Sequence, residues 1–219
     1  LVTRVTDLIH ELQRERGLSN IYLVSHGQRF ASQRLDELNA TEQAEHVFRA
    51  ALSLLDLDGD SPASARLFSA LAFVLHCLDE LPALRVRVSE QLLTAAENTR
   101  LFNRIISGLL SVVFEAADIA SDPDITRALV AMFNFVQGKE YSGQERAWGV
   151  IGFTAGEFTK KQQERIKTLQ DAQHRCFDIF ASLTQAVPAD QWRQAESSEA
   201  TIELNKLRNM IARFRRSDT

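Results

Sequence analysis

The sequence predicts an all-α fold of long antiparallel helices, and three observations support this prediction. Apolar residues recur at intervals of three and four along most of the 219 residues, which is the spacing of one helix face. No segment alternates apolar and polar residues over a useful length, so strands are not required. The chain contains only four prolines, and three of them stand where a helix would begin or end.

Two of these prolines mark predicted helix starts, because Ser61 before Pro62 and Asp122 before Pro123 are typical pairs of N-cap and first helical residue. Short loops between long helices predict an up-down bundle, or two up-down-up-down four-helix bundles that share long helices. No low-complexity linker interrupts the sequence, so we expect a single helical domain over 1–219. The predicted helices span about 2–29, 33–56, 62–80, 83–120, 123–137, 139–157, 158–186 and 189–215.

The composition is that of an ordinary globular protein, with 45% hydrophobic and 25% charged residues. A net charge of −4 gives no general reason to expect a nucleic-acid partner. The longest uncharged apolar stretch, 67–78, is shorter than the about 20 residues of a membrane span, and we expect no signal peptide before Leu1. Cys77 and Cys176 are predicted to be free, buried thiols in a reducing compartment, which favours a cytoplasmic protein.

The first motif is the stretch LQRERGLSN, which starts at Leu12 inside the first predicted helix. Arg16 follows Leu12 by four residues and Ile9 by seven, so the helical repeat places it on the apolar face. Arg14 lies about 200° around the helix from Leu12 and is predicted to point away. The helix therefore directs one guanidinium, that of Arg16, into its own core.

The second motif is a cluster of five glycines in GKEYSGQERAWGVIGFTAG, residues 138–156. Glycine is unfavourable in a helix by about 1 kcal/mol relative to alanine, so the cluster suggests a purpose. Arg146, Gly149, Phe153 and Gly156 share one helical face, where a small ligand or another backbone could approach closely. A close helix crossing, with Arg146 paired to a carboxylate such as Glu140 or Glu145, explains the same pattern.

The two motifs share Glu-Arg followed by a small residue, and each is predicted to carry an inward arginine, Arg16 or Arg146. A buried arginine keeps its charge, so it needs an anion or a dense set of acceptors. Glu15 and Glu145 lie about 100° from their neighbouring arginines, although each could neutralise the arginine of the other motif. A small anion would complete such a pair of inward arginines.

Both motifs, ELQRERGLSN and FNFVQGKEYSGQERAWGVIGFTAG, resemble the nitrate- and nitrite-sensing (NIT) domain family over residues 1–215. The resemblance implies an all-α sensor of two four-helix bundles, with nitrate or nitrite held between them by arginines. Removal of the ion would return the like charges of the arginines to proximity and let the helices shift, which we expect to signal to an output module that regulates nitrate assimilation. The second motif is most similar to soluble transcription antiterminators, in which RNA is bound by an output module that we do not find in this sequence.

The family positions that match place the candidate ion ligands at Arg16 and Arg146. The resemblance also implies an arginine on a C-terminal helix, and Arg208 borders the apolar line formed there by Leu204, Leu207, Ile211 and Phe214. Ser19 lies three residues after Arg16 and could donate one hydrogen bond to the ion, although a bond to the backbone carbonyl of Glu15 or Arg16 is the more common role of a serine in a helix. Long helices and a signalling role favour a homodimer.

Two other classes of protein were weighed against this sensor. A carboxylate-bridged metal bundle would need Glu-x-x-His pairs, whereas the chain offers only DLIH, with Asp7 and His10, and DAQH, with Asp171 and His174. A structural dimerisation bundle would explain the helices but not two inward arginines beside glycines. We expect no enzyme activity, no metal and no cofactor, because neither cysteine has an electropositive motif around it and no serine elbow exists.

Overall fold

The computed structural model describes residues 1–54, 62–184, 194–195 and 197–214, and within these ranges it contains helices and no strand. The prediction of an all-α fold is therefore confirmed. The helices are α1 (Val2–Val24), α2 (Ala31–Leu52), α3 (Pro62–Asp79), α4 (Leu81–Ser89), α5 (Ala95–Ile119), α6 (Pro123–Ala155), α7 (Lys160–Leu183) and α8 (Glu199–Arg213).

The chain divides into two compact units, Leu1–Val136 and Gln137–Thr219. Unit 1 contains α1 to α5 and the first part of α6, and unit 2 contains the rest of α6 with α7 and α8. The arrangement as two four-helix bundles within one domain stays a prediction.

In unit 1, α1 packs against both α2 and α5, and α5 also packs against α3. The apolar face of α1 is fully buried at Val5, Leu8 and Leu12. Because α1 has partners on two sides, its buried surface is wider than one stripe and also includes polar residues. This arrangement places the first motif between two neighbouring helices.

The predicted helix 83–120 is wrong, because the chain forms two helices there. Helix α4 ends at Ser89, and Gln91 adopts a left-handed backbone conformation with φ of 60°. A new helix starts after Thr94, whose hydroxyl accepts a hydrogen bond from the backbone N–H of Glu97 while the Glu97 carboxylate accepts one from the backbone N–H of Thr94. This capping box satisfies backbone donors that a helix start leaves open, so it fixes the start of α5.

The predicted break between 137 and 139 is also wrong, because α6 continues through Gly138. A Cβ atom at this position would lie 2.6 Å from the Phe177 ring. Gly138 therefore lets the ring of α7 pack directly on the α6 backbone, and it does not end the helix. The predicted N-cap at Asp122 is confirmed, since its carboxylate accepts hydrogen bonds from the backbone N–H groups of Asp124 (2.8 Å) and Ile125 (3.2 Å).

Two further predictions concern segments at the edges of the described ranges. The predicted N-cap Ser61 lies outside the described residues, as do 189–193 of the last predicted helix. The described α8 starts after Ser198, whose hydroxyl accepts a hydrogen bond from the backbone N–H of Thr201.

The core of unit 2 is small and centres on Phe158, Ile166 and Ile211, with Trp148 and Phe214 packed against it. The predicted apolar line of the last helix is only partly buried. Leu204 is 40% exposed and Leu207 is 45% exposed, whereas Ile211 is buried. Helix α8 therefore contacts the rest of unit 2 through its C-terminal part.

One segment, Ala65–Ser89, is long and apolar enough to cross a membrane by length and composition. The sequence analysis predicted no such span. The segment includes most of α3 and all of α4, and Leu71, Val74 and Leu78 within it are buried in the core of unit 1. Core helices have the same composition, so the segment is weak evidence for a membrane.

Candidate functional site

Arg16 lies on the buried side of α1, as the sequence predicted, with an exposed fraction of 1%. Arg14 is exposed, which confirms that it points away from the core. The Arg16 guanidinium donates a hydrogen bond through Nη1 to the amide oxygen of Asn103 on α5. The helix therefore holds this permanent positive charge between α1 and α5, in contact with a neutral acceptor.

A layer of uncharged polar side chains surrounds this position between α1 and α5. Asn98 donates to the amide oxygen of Asn20 at 2.8 Å, and Asn20 donates to the hydroxyl of Thr99 at 2.8 Å. The Asn98 amide also donates to the backbone carbonyl of Arg16 at 3.5 Å. Ser19 is buried on the same helix, with an exposed fraction of 1%. These amides and hydroxyls can supply hydrogen bonds but no net charge.

Glu15 is completely buried and forms a bidentate ion pair with Arg85 of α4. The distances are 2.8 Å from Nε to Oε1 and 2.9 Å from Nη2 to Oε2, and Arg85 also contacts Glu42 of α2 at 2.9 Å. Burial alone would lower the pKa of Arg85, but its hydrogen bonds and ion pair with Glu15 raise it above the ordinary value. Among its described contacts, the Glu15 carboxylate is therefore neutralised by Arg85, an arginine that the sequence analysis did not name.

Arg34 is a second arginine of unit 1 that the sequence analysis did not identify. It is 3% exposed and donates through Nη2 to the backbone carbonyl of Arg85 at 3.2 Å and to the Ser89 hydroxyl at 3.1 Å. Its guanidinium also lies 5.1 Å from the centre of the Tyr22 ring. Burial lowers the pKa of Arg34, although the nearby Glu15 carboxylate opposes this effect.

Arg146 is exposed on α6, so the prediction that it points inward is wrong. The buried side of α6 in unit 2 carries Glu140, Gln144 and Ala147 instead. Arg146 follows Gln144 by two residues, which is about 200° around the helix, and therefore faces away from that side. The other residues of the predicted face are likewise exposed, except Gly149.

Arg208 lies in unit 2 and is held by Glu145, the acidic residue that directly precedes Arg146 in the second motif. Its Nε and Nη2 atoms contact the two carboxylate oxygens at 2.7 Å and 2.6 Å. Nη2 also donates to the Gln173 amide oxygen at 2.7 Å, and Gln170 donates to Glu145 at 2.7 Å. Glu145 therefore pairs with Arg208, which lies in the same unit.

The glycines of the second motif serve different purposes. A Cβ atom at Gly152 would lie 2.1 Å from the Phe158 ring, so this glycine provides the close approach that the sequence predicted as one alternative. At Gly149 a Cβ atom would have no heavy atom within 4 Å, although the residue is buried. Gly149 is thus a position where the α6 backbone borders open space.

A metal site and a reactive cysteine have less support among the described residues. No group of three or more His, Cys, Asp or Glu side chains that could hold a metal ion occurs in that part of the chain. Cys77 is buried and Cys176 is half-buried, and both are free thiols. Burial raises the pKa of both thiols above the ordinary value, which disfavours the reactive thiolate.

Residues 7–219 match the family described as nitrate and nitrite sensing. The chain is similar to the nitrate regulatory protein of Klebsiella oxytoca, with 36% identity over 214 residues, which is 96% of this chain and 52% of that protein. It is also similar to the solved structure of the NasR transcription antiterminator, with a TM-score of 0.89 and 36% identity over 99% of this chain and 58% of that one. The chain thus spans about half the length of the relatives that it matches.

Proposed function

Because the chain belongs to the nitrate- and nitrite-sensing family, we propose that it binds one of these ions through Arg16 and signals the binding to an output module. The main observation in support of the proposal is that Arg16, which belongs to the first of the two family motifs, is buried. Its guanidinium contacts the neutral amide of Asn103, and the adjacent carboxylate of Glu15 is held by Arg85. A small anion could bind this buried guanidinium through charge-assisted hydrogen bonds.

Nitrate suits a guanidinium because both are planar. One arginine presents two parallel N–H donors, which can contact two oxygens of the same ion. The nearby amide and hydroxyl groups of Asn98, Asn103 and Ser19 can contribute further hydrogen bonds without adding charge. A monovalent planar anion is therefore favoured over sulfate, whose tetrahedral shape and double charge would require more donors and cations.

The other candidate ligands are Arg146, Arg208 and Ser19. Arg146 belongs to the second motif, and its exposed side chain is accessible to an ion. Arg208 would have to leave Glu145 in order to bind an anion, so we assign it a smaller part in binding. Ser19 is buried one turn after Arg16 and supplies at most one hydroxyl donor.

The ion changes the charge at α1, and we propose that this change shifts the helix packing. Two alternative packings that differ by one bound charge would form a two-state switch. Relatives are named a nitrate regulatory protein and a transcription antiterminator, so we propose that the output controls genes of nitrate assimilation by antitermination. RNA would then be bound by the output module. We also propose a cytoplasmic homodimer without catalytic activity, cofactor or membrane contact.

Thermal stability in the presence of different anions tests the proposal. A ligand of four heavy atoms has a ceiling of about −6 kcal/mol, which corresponds to a Kd of tens of micromolar. At a hundred times this Kd, nitrate would stabilise the folded state by about 2.7 kcal/mol. We expect the melting temperature to rise by about 5–10 °C relative to sodium chloride of equal ionic strength, with no such rise in sulfate. An unchanged melting temperature up to tens of millimolar nitrate and nitrite would refute ion binding.

Variants at the two motifs assign the ligands. We expect Arg16→Lys and Arg146→Lys to lose most of the nitrate-dependent rise, because lysine keeps the charge but lacks the planar fork. Arg4→Ala on α1 and Arg127→Ala on α6 are matched controls, since both arginines are exposed on the same helices. A normal nitrate response in Arg146→Lys would remove Arg146 from the site, and the same result in Arg16→Lys would refute its role as the principal ligand.

A further inference from the structure

Two carboxylates meet at the interface of α1 and α2, away from Arg16. Glu37 of α2 has a side chain that is only 3% exposed, and its carboxylate shares the guanidinium of Arg14 with Glu11 of α1. Within the described residues, Glu11 Oε2 and Glu37 Oε1 are both buried and receive no hydrogen bond from a donor group. Two ionised carboxylates in this position would repel each other and would also leave buried acceptors unsatisfied.

We propose that Glu11 and Glu37 form a proton-binding site, in which one shared proton links α1 to α2. Protonation of one carboxylic acid turns an acceptor into a donor. The pair then makes one O–H···O hydrogen bond, which satisfies both of the buried oxygens and removes the repulsion. The inference concerns a proton and does not depend on the binding of nitrate or nitrite.

The charged groups around Glu37 determine the state of this pair. On α1, Arg14 Nη2 lies 2.9 Å from Glu37 Oε2, while Arg14 Nη1 lies 3.7 Å from Glu11 Oε2. Glu15 of α1 adds a further negative charge, although it is paired with Arg85 of α4. One cation, Arg14, thus serves two carboxylates, and it is itself an exposed side chain screened by water.

Burial and the neighbouring Glu11 carboxylate raise the pKa of Glu37 from 4.5 to about 7, while Arg14 acts in the opposite direction. Between pH 4.5 and about 7, the folded state therefore keeps a proton that the unfolded chain has released. Stability that comes from this proton is present at low pH and decreases as the pH rises to about 7. The folding equilibrium constant would decrease by at most about 300-fold over this range, as follows from the two pKa values.

The test compares wild-type protein with Glu37→Gln by urea denaturation between pH 5 and pH 8.5. Glutamine supplies a permanent donor to Glu11, so the variant should be more stable than wild type at pH 8 by a factor of ten or more in the folding constant. At pH 5 the difference should be about threefold or less. Asp36→Asn is the matched control, because Asp36 is exposed on the same helix and should leave the pH dependence unchanged.

Infrared spectroscopy of the folded wild-type protein gives a second measurement that does not depend on stability. We expect a band of a protonated carboxylic acid at pH 6 that is absent at pH 8.5 and absent from Glu37→Gln. The proposal is overturned if this band is missing, and equally if wild type and Glu37→Gln have the same pH dependence. It is also overturned if millimolar magnesium or sodium stabilises wild type at pH 8 but not Glu37→Gln, because the pair would then hold a cation.

Discussion

Replacing Arg208 by alanine distinguishes a structural arginine from an ion ligand. Arg208 makes a bidentate contact with Glu145 and a third hydrogen bond to Gln173. The two charged side chains are only 14% and 7% exposed, so this is not a surface ion pair. If the pair holds unit 2 together, the loss of Arg208 should destabilise the protein even when no nitrate is present.

The expected magnitude follows from what the substitution leaves behind. Among the described hydrogen bonds, Arg208→Ala leaves the buried Glu145 carboxylate with that from the Gln170 amide alone, and an uncompensated buried charge costs about 3–5 kcal/mol. Glu145→Gln combined with Arg208→Met removes both charges and keeps an acceptor for Gln170. The double variant should therefore recover most of the loss, to within about 1 kcal/mol of wild type.

Urea denaturation in nitrate-free buffer measures these differences. Tryptophan fluorescence reports on unit 2, because both tryptophans of the chain lie in 137–219. Lys206→Ala is the control, since Lys206 and Glu203 form an exposed ion pair on the same helix that is worth less than about 1 kcal/mol. If Arg208→Ala is no less stable than Lys206→Ala, the pair with Glu145 is not structural and Arg208 returns to the set of ion ligands.

Three smaller substitutions test how the helices are built. Gly152→Ala should destabilise the protein by about 1–3 kcal/mol, because its Cβ atom would overlap the Phe158 ring, whereas Gly149→Ala should be neutral or stabilising by up to about 1 kcal/mol. Equal effects of the two alanines on the urea midpoint would contradict the difference in local space. Thr94→Ala should cost about 1 kcal/mol through the lost cap of α5, and an unchanged thermal midpoint would argue against the capping box with Glu97.

The helical period predicted the orientation of side chains correctly where a helix has a clear apolar face. Arg16 and Arg14 lie on opposite sides of α1, as their spacing from Leu12 indicated. The same reasoning missed Glu15, because it assumed one buried face and α1 packs against both α2 and α5. It failed for Arg146 because the face that also carries Phe153 and Gly156 was taken as buried, whereas these residues are exposed and the buried side carries Glu140, Gln144 and Ala147.

Helix ends were predicted well at prolines and poorly elsewhere. Asp122 caps α6 directly before Pro123, and both features are visible in the sequence. The start of α5 was missed although Thr94 and Glu97 have the spacing of a capping box, and Thr159 and Gln162 show the same signal at the start of α7. Gly138 was read as a break because no sequence pattern shows that the Phe177 ring packs there.

The partner residues of the buried charges could not be predicted from the sequence. Glu15 pairs with Arg85, 70 residues further along the chain, and Glu145 with Arg208, 63 residues further. Both pairs depend on which helices become neighbours, and periodicity within one helix carries no such information. The polar positions of each helix were visible, but their choice of partner comes from the tertiary fold.

The last turn of α8 has an unusual end. Helix ends ordinarily fray, because their final carbonyls have no partner within the helix. Here the Gln163 amide of α7 donates to the backbone carbonyls of Ile211 (2.7 Å) and Phe214 (3.0 Å). The Phe214 ring also packs edge-on against Phe158, with ring centres 5.5 Å apart. A pulling force applied to the chain beyond Phe214 would therefore act on α7 before it could unwind α8. This end of α8 would transmit the force to its neighbouring helix.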